Sequence, residues 1–170
     1  PTTDRVREAL FSSLYSLLGS FEDLSVLDAF AGTGSLGIEA LSRGAAHCSF
    51  CEHDRRVFKY LERNLHGLKI PTSCYKIFQC DVLKNPAILI PSRLFHLIYL
   101  DPPYSLDVQQ VMEFCNSLCH AGLIDLKNLF VYEHSSTSPH EEILAQLENN
   151  FHELVKSNTI ATTTYAIFSA

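Results

Sequence analysis

Two short segments carry residue types and spacings that could do chemistry: Asp28-Ala-Phe-Ala-Gly-Thr-Gly34 and, sixty-seven residues after Gly34, Asp101-Pro-Pro-Tyr104. The second closes the apolar run Phe95 to Leu100, and its two prolines forbid continuation as strand or helix, so it belongs at a strand's carboxyl end. Open α/β sheets bind their ligands at such ends. Together the segments describe a nucleotide-like cofactor held beside a flat, amine-bearing base.

In the first segment, Gly32-Thr-Gly34-Ser-Leu-Gly37 fits the G-x-G-x-x-G pattern between a strand and a helix. Glu52 stands twenty residues after Gly32, placed to accept ribose hydroxyls. That pattern alone suits NAD or S-adenosylmethionine equally. Asp28 separates them, because a carboxylate there repels a pyrophosphate and attracts the ammonium of a methionine moiety. The plainer reading of Asp28 is an acid that caps the glycine loop. Asp81, after the third strand, suits two roles: accepting the adenine amino group while the Val82 amide meets a ring nitrogen, or capping the next helix.

The second segment supplies the chemistry. An exocyclic base amine is a weak nucleophile because its lone pair is delocalised into the ring. The Asp101 carboxylate and the Pro102 carbonyl offer two acceptors for its protons, and Tyr104 offers a face on which an extruded base can stack, worth about 1–3 kcal/mol. The prolines, Pro103 included, stiffen the loop so that less ordering is lost when substrate arrives. Holding the amine roughly 3–3.5 Å from a sulfonium methyl is then the main task, with Asp101 or water taking the released proton. The competing reading is that Asp-Pro-Pro-Tyr is only a turn.

These segments need a scaffold, and strand and helix signals alternate along the chain. Thr3 or Asp4 caps a helix with the stripe Val6, Leu10, Leu14, Leu17 and Leu18, stopped by Gly19. A first strand is expected over 24–30, a helix over 35–43, a second strand over 47–52, and a helix over 54–66 ended by Gly67. A third strand over 74–80, a fourth over 95–101, a helix over 107–119 and a fifth strand over 129–134 follow. Pro139 opens a helix running to Leu147, and two strands over 151–156 and 159–169 are joined by a Ser157-Asn158 turn. This order predicts an α/β fold: a mostly parallel sheet with helices on both faces and an antiparallel hairpin at its end.

The 170 residues, 46% hydrophobic, suit one domain over 1–170. No apolar run reaches the roughly 18 residues of a membrane span, and the chain reads as cytoplasmic and monomeric. The net charge of −6 argues against a protein that grips naked nucleic acid by charge alone. It is uneven: residues 1–70 hold 8 Lys/Arg against 9 Asp/Glu, residues 71–170 hold 5 against 10. Any basic surface therefore draws on Arg5, Arg7, Arg43, Arg55, Arg56, Lys59 and Arg63, residues that more often are solvated helix faces.

The six cysteines include Cys48-x-x-Cys51 and Cys115-x-x-x-Cys119. Cys115 and Cys119 share an apolar helix face, where cysteine acts as a small hydrophobe. Cys48 and Cys51, three apart in a strand, point to opposite faces and do not suit one metal ion. Neither a metal nor a disulfide is expected. The eight histidines show no Ser/His/Asp or Cys/His arrangement, and surface or structural roles suit them, although His53 and His134 lie at strand ends.

Pro1-Thr-Thr-Asp-Arg-Val-Arg-Glu-Ala-Leu-Phe11, Leu27 through Gly44, and Asp101-Pro-Pro-Tyr104 together resemble the bacterial 16S ribosomal RNA guanine-N2 methyltransferases of the RsmD type. The likeness implies a class I, Rossmann-like methyltransferase with seven strands in the order 3-2-1-4-5-7-6, strand seven antiparallel. It implies S-adenosylmethionine at Asp28, Phe30, Ala31, Gly32, Thr33, Gly34, Glu52, His53, Asp81 and Val82. It places a guanine of 16S rRNA, in the small subunit or its assembly intermediate, against Asp101, Pro102, Pro103 and Tyr104. Thr2, Thr3, Arg5 and Arg7 match a motif expected over cofactor or RNA, and Asn64 matches a helix asparagine expected to be structural. Family members usually carry a basic RNA-gripping segment ahead of this motif, and here the chain opens inside it. A DNA adenine-N6 or other nucleic-acid amino-methyltransferase is the alternative, and an NAD oxidoreductase would leave Asp28 and the diproline loop unexplained.

Overall fold

The computed structural model describes residues 4–90, 93–135, 142, 145, 146, 148, 149 and 153–169. Its elements are α1 (Asp4–Leu18), β1 (Ser25–Asp28), α2 (Ser35–Ser42), β2 (His47–Glu52), α3 (Arg55–Gly67), β3 (Tyr75–Gln79), β4 (Phe95–Leu100), α4 (Val108–His120), β5 (Ile124–Ser135), β6 (Glu153–Ile160) and β7 (Thr163–Ser169). The seven strands lie in the order β3-β2-β1-β4-β5-β7-β6, as the resemblance implies. Strands β1 to β5 pair in parallel, and β7 runs antiparallel to both β5 and β6. The helix expected from Pro139 to Leu147 falls largely outside the described residues.

Alternation along the strands sends side chains to two cores. Leu27, Ile98, Leu100, Phe130 and Tyr132 meet α4 through Val111, Met112, Cys115 and Leu118. On the opposite face Val26, Phe50, Tyr99 and Val131 meet α1, α2 and α3 through Leu10, Phe11, Leu36, Leu61 and Leu65. Cys51 belongs to the first core and Cys48 to the second, so the two thiols do face apart.

Most expected elements stand within a residue or two of their predicted limits, and the differences have local causes. The buried stripe of α1 is Val6, Leu10, Phe11, Ser13 and Leu14, whereas Leu17 is 41% exposed. Ser13 is tolerated inside because its hydroxyl lies 3.0 Å from the Tyr165 hydroxyl, which itself donates to the Ala9 carbonyl, fastening α1 to β7. Gly67 does not stop α3; it lies within the helix, and the left-handed turn falls at Lys69 with φ 54°. Strand β5 begins at Ile124, earlier than expected, with a register shift between Phe95 and Leu97 on its partner.

The hairpin turn also moves. Ile160 pairs with Thr163, so the turn lies at 161–162 with Ala161 at φ 55° rather than at Ser157-Asn158. Cross-strand pairing outweighs the local turn propensity: Thr159 and Thr164 share a 2.8 Å hydroxyl hydrogen bond, and Thr163 to Phe168 are all buried.

One glycine sets how closely α2 seats on the sheet. A Cβ on Gly37 would stand 2.3 Å from Phe50 Cε1 and 2.7 Å from Cys48 Sγ, so the helix lies against β2 at a distance only hydrogen allows. Gly37→Ala is therefore expected to cost about 1–3 kcal/mol by overpacking. Urea unfolding should show a lower midpoint with an unchanged slope.

Candidate active site

Four carboxylates stand at the carboxyl ends of neighbouring strands, all on the sheet face covered by α1, α2 and α3. Glu52 follows Phe50 by two residues, Asp28 follows Val26, Asp101 follows Tyr99 and Glu133 follows Val131, and those four predecessors belong to that face's core. The pairings Asp28↔Phe50, Asp28↔Tyr99 and Tyr99↔Val131 set their heights. Glu52, Asp101 and Glu133 therefore share one level, and Asp28 sits two residues lower, between the first two. Strand β1 ends short of its neighbours, and this step in the sheet edge, or notch, has the buried Asp28 at its foot.

The notch is built by backbone contacts of the glycine loop. Asp28 Oδ2 accepts the Gly37 amide at 3.0 Å, in the first turn of α2, so the loop-capping reading of this acid is realised. Glu52 Oε2 accepts the Gly32 amide at 2.9 Å and Oε1 accepts the Asp54 amide at 2.7 Å. Asn64 of α3 donates to the Thr33 carbonyl at 2.9 Å, and the Ala31 amide donates to the Cys51 carbonyl at 2.8 Å. Gly32 and Gly34 hold φ of 55° and 91°, the left-handed region that favours glycine. A Cβ on Gly32 would meet nothing within 4 Å, so the loop leaves open space there.

Burial raises the proton affinity of Asp28 and Asp101, and repulsion by neighbouring carboxylates adds to it at Asp28. Asp28 is pushed up to about 7, mainly by burial and further by the Asp101, Glu52 and Glu133 carboxylates, against the opposing Gly37 amide. Burial lifts Asp101 to about 6. The Tyr104 phenol is raised by burial and by Asp101 and Glu133, although the ring is 65% exposed. Pro102, Pro103, Tyr104, Leu106, Tyr132 and Glu133 line a cleft of about 250 Å³ beside this loop.

The remaining candidates are placed less uniformly. Asp81 accepts the Leu83 amide at 3.2 Å and pairs with Lys84 at 3.2 Å, but it braces a turn over 82–84 rather than capping a helix, because the next helical turn starts only at Pro86 with Asn85 before it. Val82 and Ala31 are buried, Phe30 is half-buried and packs on the α4-side core, and Thr33 is exposed. His53 is largely exposed, its Nδ1 3.5 Å from Glu52. Arg5 is exposed. Arg7 is tied to Asp4 at 2.6 Å and to Glu39 at 3.9 Å, and Arg43 binds the same Glu39 at 2.8 Å, so Arg7 clamps α1 to α2. Thr2 and Thr3 lie outside the described residues.

Glu133 was given no role from sequence, yet it is 3% exposed and lines the cleft with Tyr104. Its signal was the alternation Leu129, Val131, Glu133 in the strand beside the one that ends in Asp101. His134 shares that cleft, and its ring centroid lies 5.8 Å from that of Tyr132.

The family model described as Conserved hypothetical protein 95 matches residues 1–169. Ribosomal RNA small subunit methyltransferase D of Haemophilus influenzae is 34% identical over 142 residues, covering 82% of this chain and 69% of that protein. Its namesake in Escherichia coli is 39% identical over 105 residues, covering 61% of this chain and 49% of its own length. Among solved structures, the yhhF protein of Escherichia coli aligns at TM-score 0.71 and 26% identity, covering 99% of this chain and 88% of that one. The Thermus thermophilus 16S rRNA N2 methyltransferase RsmC, solved with AdoMet and guanosine, aligns at TM-score 0.74 and 20% identity over 98% of this chain and 43% of that one, a likeness of fold.

The Asp28 carboxyl is protonated more readily in the fold than in the unfolded chain, where carboxylates titrate near 4. Its contribution to the stability of the ligand-free protein is therefore present at pH 4 and is lost as pH rises towards 7. Asp28→Asn, which keeps an acceptor for Gly37, should stabilise the ligand-free fold by on the order of 3 kcal/mol at pH 8, and by little at pH 4. Urea titrations of both proteins across that range test this, and a gain independent of pH would contradict it.

Proposed function

This chain belongs to the Conserved hypothetical protein 95 family, a methyltransferase family that includes ribosomal RNA small subunit methyltransferase D, and we propose that it methylates the exocyclic N2 of a guanine in 16S rRNA, using S-adenosylmethionine. The row of carboxylates around the Asp28 notch carries the reading. Such a site welcomes donors and cations and rejects a pyrophosphate. The donor groups of S-adenosylmethionine suit it: an ammonium for Asp28, ribose hydroxyls for Glu52, and an adenine amino group for Asp81 beside Val82. Gly32 leaves the loop open where a side chain would stand, and Gly34 lets it pack against Leu61 and Ile38, with Phe30, Ala31, Thr33 and His53 around it. When bound, this cofactor supplies an electrophilic methyl group to an amine.

The chain's own residues prepare that amine. The Asp101 carboxylate and Pro102 carbonyl accept its hydrogens, which fixes its orientation and returns electron density to nitrogen, and Asp101 takes the proton released on transfer. Tyr104 stacks on the base, and Pro103 holds the loop rigid. Glu133 favours guanine over adenine. Its carboxylate accepts the guanine N1–H, whereas adenine would point a lone pair at it. The substrate is the small subunit or its assembly intermediate.

The test is transfer of labelled methyl from S-adenosylmethionine to small ribosomal subunits, deproteinised rRNA and duplex DNA, with nucleoside analysis of the product. N2-methylguanosine from subunits or rRNA is expected, falling away as Asp101 protonates below about pH 6. Asp101→Ala should lower transfer by at least about a hundredfold with cofactor affinity retained. N6-methyladenine in DNA would overturn the assignment, and an active Asp101→Ala protein would overturn the residue's role.

A further inference from the structure

The active-site face is acidic, so an RNA strand whose base enters the Asp101 loop must have its phosphates held elsewhere. Like charges repel over a screening length of about 8–10 Å at physiological salt, and with adjacent strands roughly 5 Å apart each of the four carboxylates lies within that range of the next. Two cations on the helices of this face are already used, since Arg7 and Arg43 are paired with Asp4 and Glu39.

Helix α3 is different. It carries Arg55, Arg56, Lys59 and Arg63 against the single acid Glu62, in a chain of net charge −6. At about 100° per residue the four basic side chains fall within an arc of roughly 100°, bordered by Tyr60 beyond Arg56 on one edge and by Glu62 beyond Arg55 on the other. The buried Leu61 and Leu65 occupy the opposite side. All four cations and Tyr60 are exposed, and among the described residues none of the four pairs with a carboxylate. Arg63 instead lies over the Tyr60 ring, 5.8 Å from its centroid.

The stripe is rigidly tied to the site. The Asp54 side chain caps α3 by accepting the Arg56 and Val57 amides at 2.7 and 3.1 Å, while the Asp54 amide binds Glu52. Asn64, on the flank of the stripe, holds the glycine loop through Thr33. Leu61 and Leu65 seat α3 on the same sheet face as Asp28 and Asp101.

We propose that the exposed α3 face formed by Arg55, Arg56, Lys59 and Arg63, with Tyr60, binds the phosphate backbone of the substrate RNA and leads the target base to the Asp101 loop. This rests on the rRNA reading above. Lysine and arginine neutralise phosphates and release condensed counterions, which gives affinity without sequence preference. Tyr60 adds a stacking surface for an unpaired base. The acidic notch then repels any phosphate that approaches it, so the surface sets the direction of the strand as well as its affinity.

Fluorescence anisotropy with a deproteinised small-subunit rRNA fragment, read across a KCl series, tests this in the full chain. Replacing all four cations by alanine should reduce the slope of log affinity against log salt by about 3 and weaken binding at least about tenfold at 0.1 M KCl. Lys59→Ala with Arg63→Ala should give about half the slope change. S-adenosylmethionine affinity should stay within about twofold, and Lys127→Ala, an exposed cation at the start of β5, should change nothing. Unchanged affinity and slope in the fourfold variant would overturn the proposal. A wild-type protein that binds this RNA with the expected slope but places its methyl group on another base would overturn the guanine-N2 reading and leave the α3 surface standing.

Discussion

Carboxylates at the ends of β2, β4 and β5 all act on Asp28 at the end of β1, which is buried with one amide for support. A charged group in that position is costly until a cation or a set of donors arrives. The glycine loop, the early end of β1 and the seating of α2 on Gly37 all serve to keep Asp28 in this place. Binding is thus linked to relief of a strain that the fold carries in its ligand-free form, a common arrangement at functional sites.

The same crowding divides the molecule's labour. A face that attracts an ammonium and amine donors repels phosphate, so one surface cannot recognise both the reacting groups and the backbone of a nucleic acid. In the proposed division helix α3 resolves this conflict by projecting cations from the outer side of an element whose Asn64 holds the glycine loop. The overall net charge of −6 conceals this separation, because the acids gather at the site and in the second half of the chain.

Much of this was legible in the sequence, for identifiable reasons. The apolar run Phe95 to Leu100 and the diproline after it placed the Asp101 loop at a strand's end, since proline acts on its own backbone without tertiary help. The spacing of Gly32, Gly34 and Gly37 likewise described a backbone geometry, and the strand order followed from the family resemblance. Contacts between distant elements were less visible. Arg7 matches a motif expected over cofactor or RNA, and its contact with Glu39, 32 positions away, emerges only in the fold. The Ser157-Asn158 turn failed because the pairing of Thr159 with Thr164 outweighed a local preference. Glu133 was passed over because its neighbour Asp101 lies on another strand, and only the register brings them to one level.

The central claim, that Asp28 takes its charge from the cofactor, is tested most directly by calorimetric titration of S-adenosylmethionine at pH 6.5 in buffers of differing ionisation enthalpy. With its carboxyl raised to about 7 in the free protein, binding should release roughly half a proton or more, and Asp28→Asn should abolish the release. Binding with no proton release, or with the same release from the Asn variant, would contradict the account.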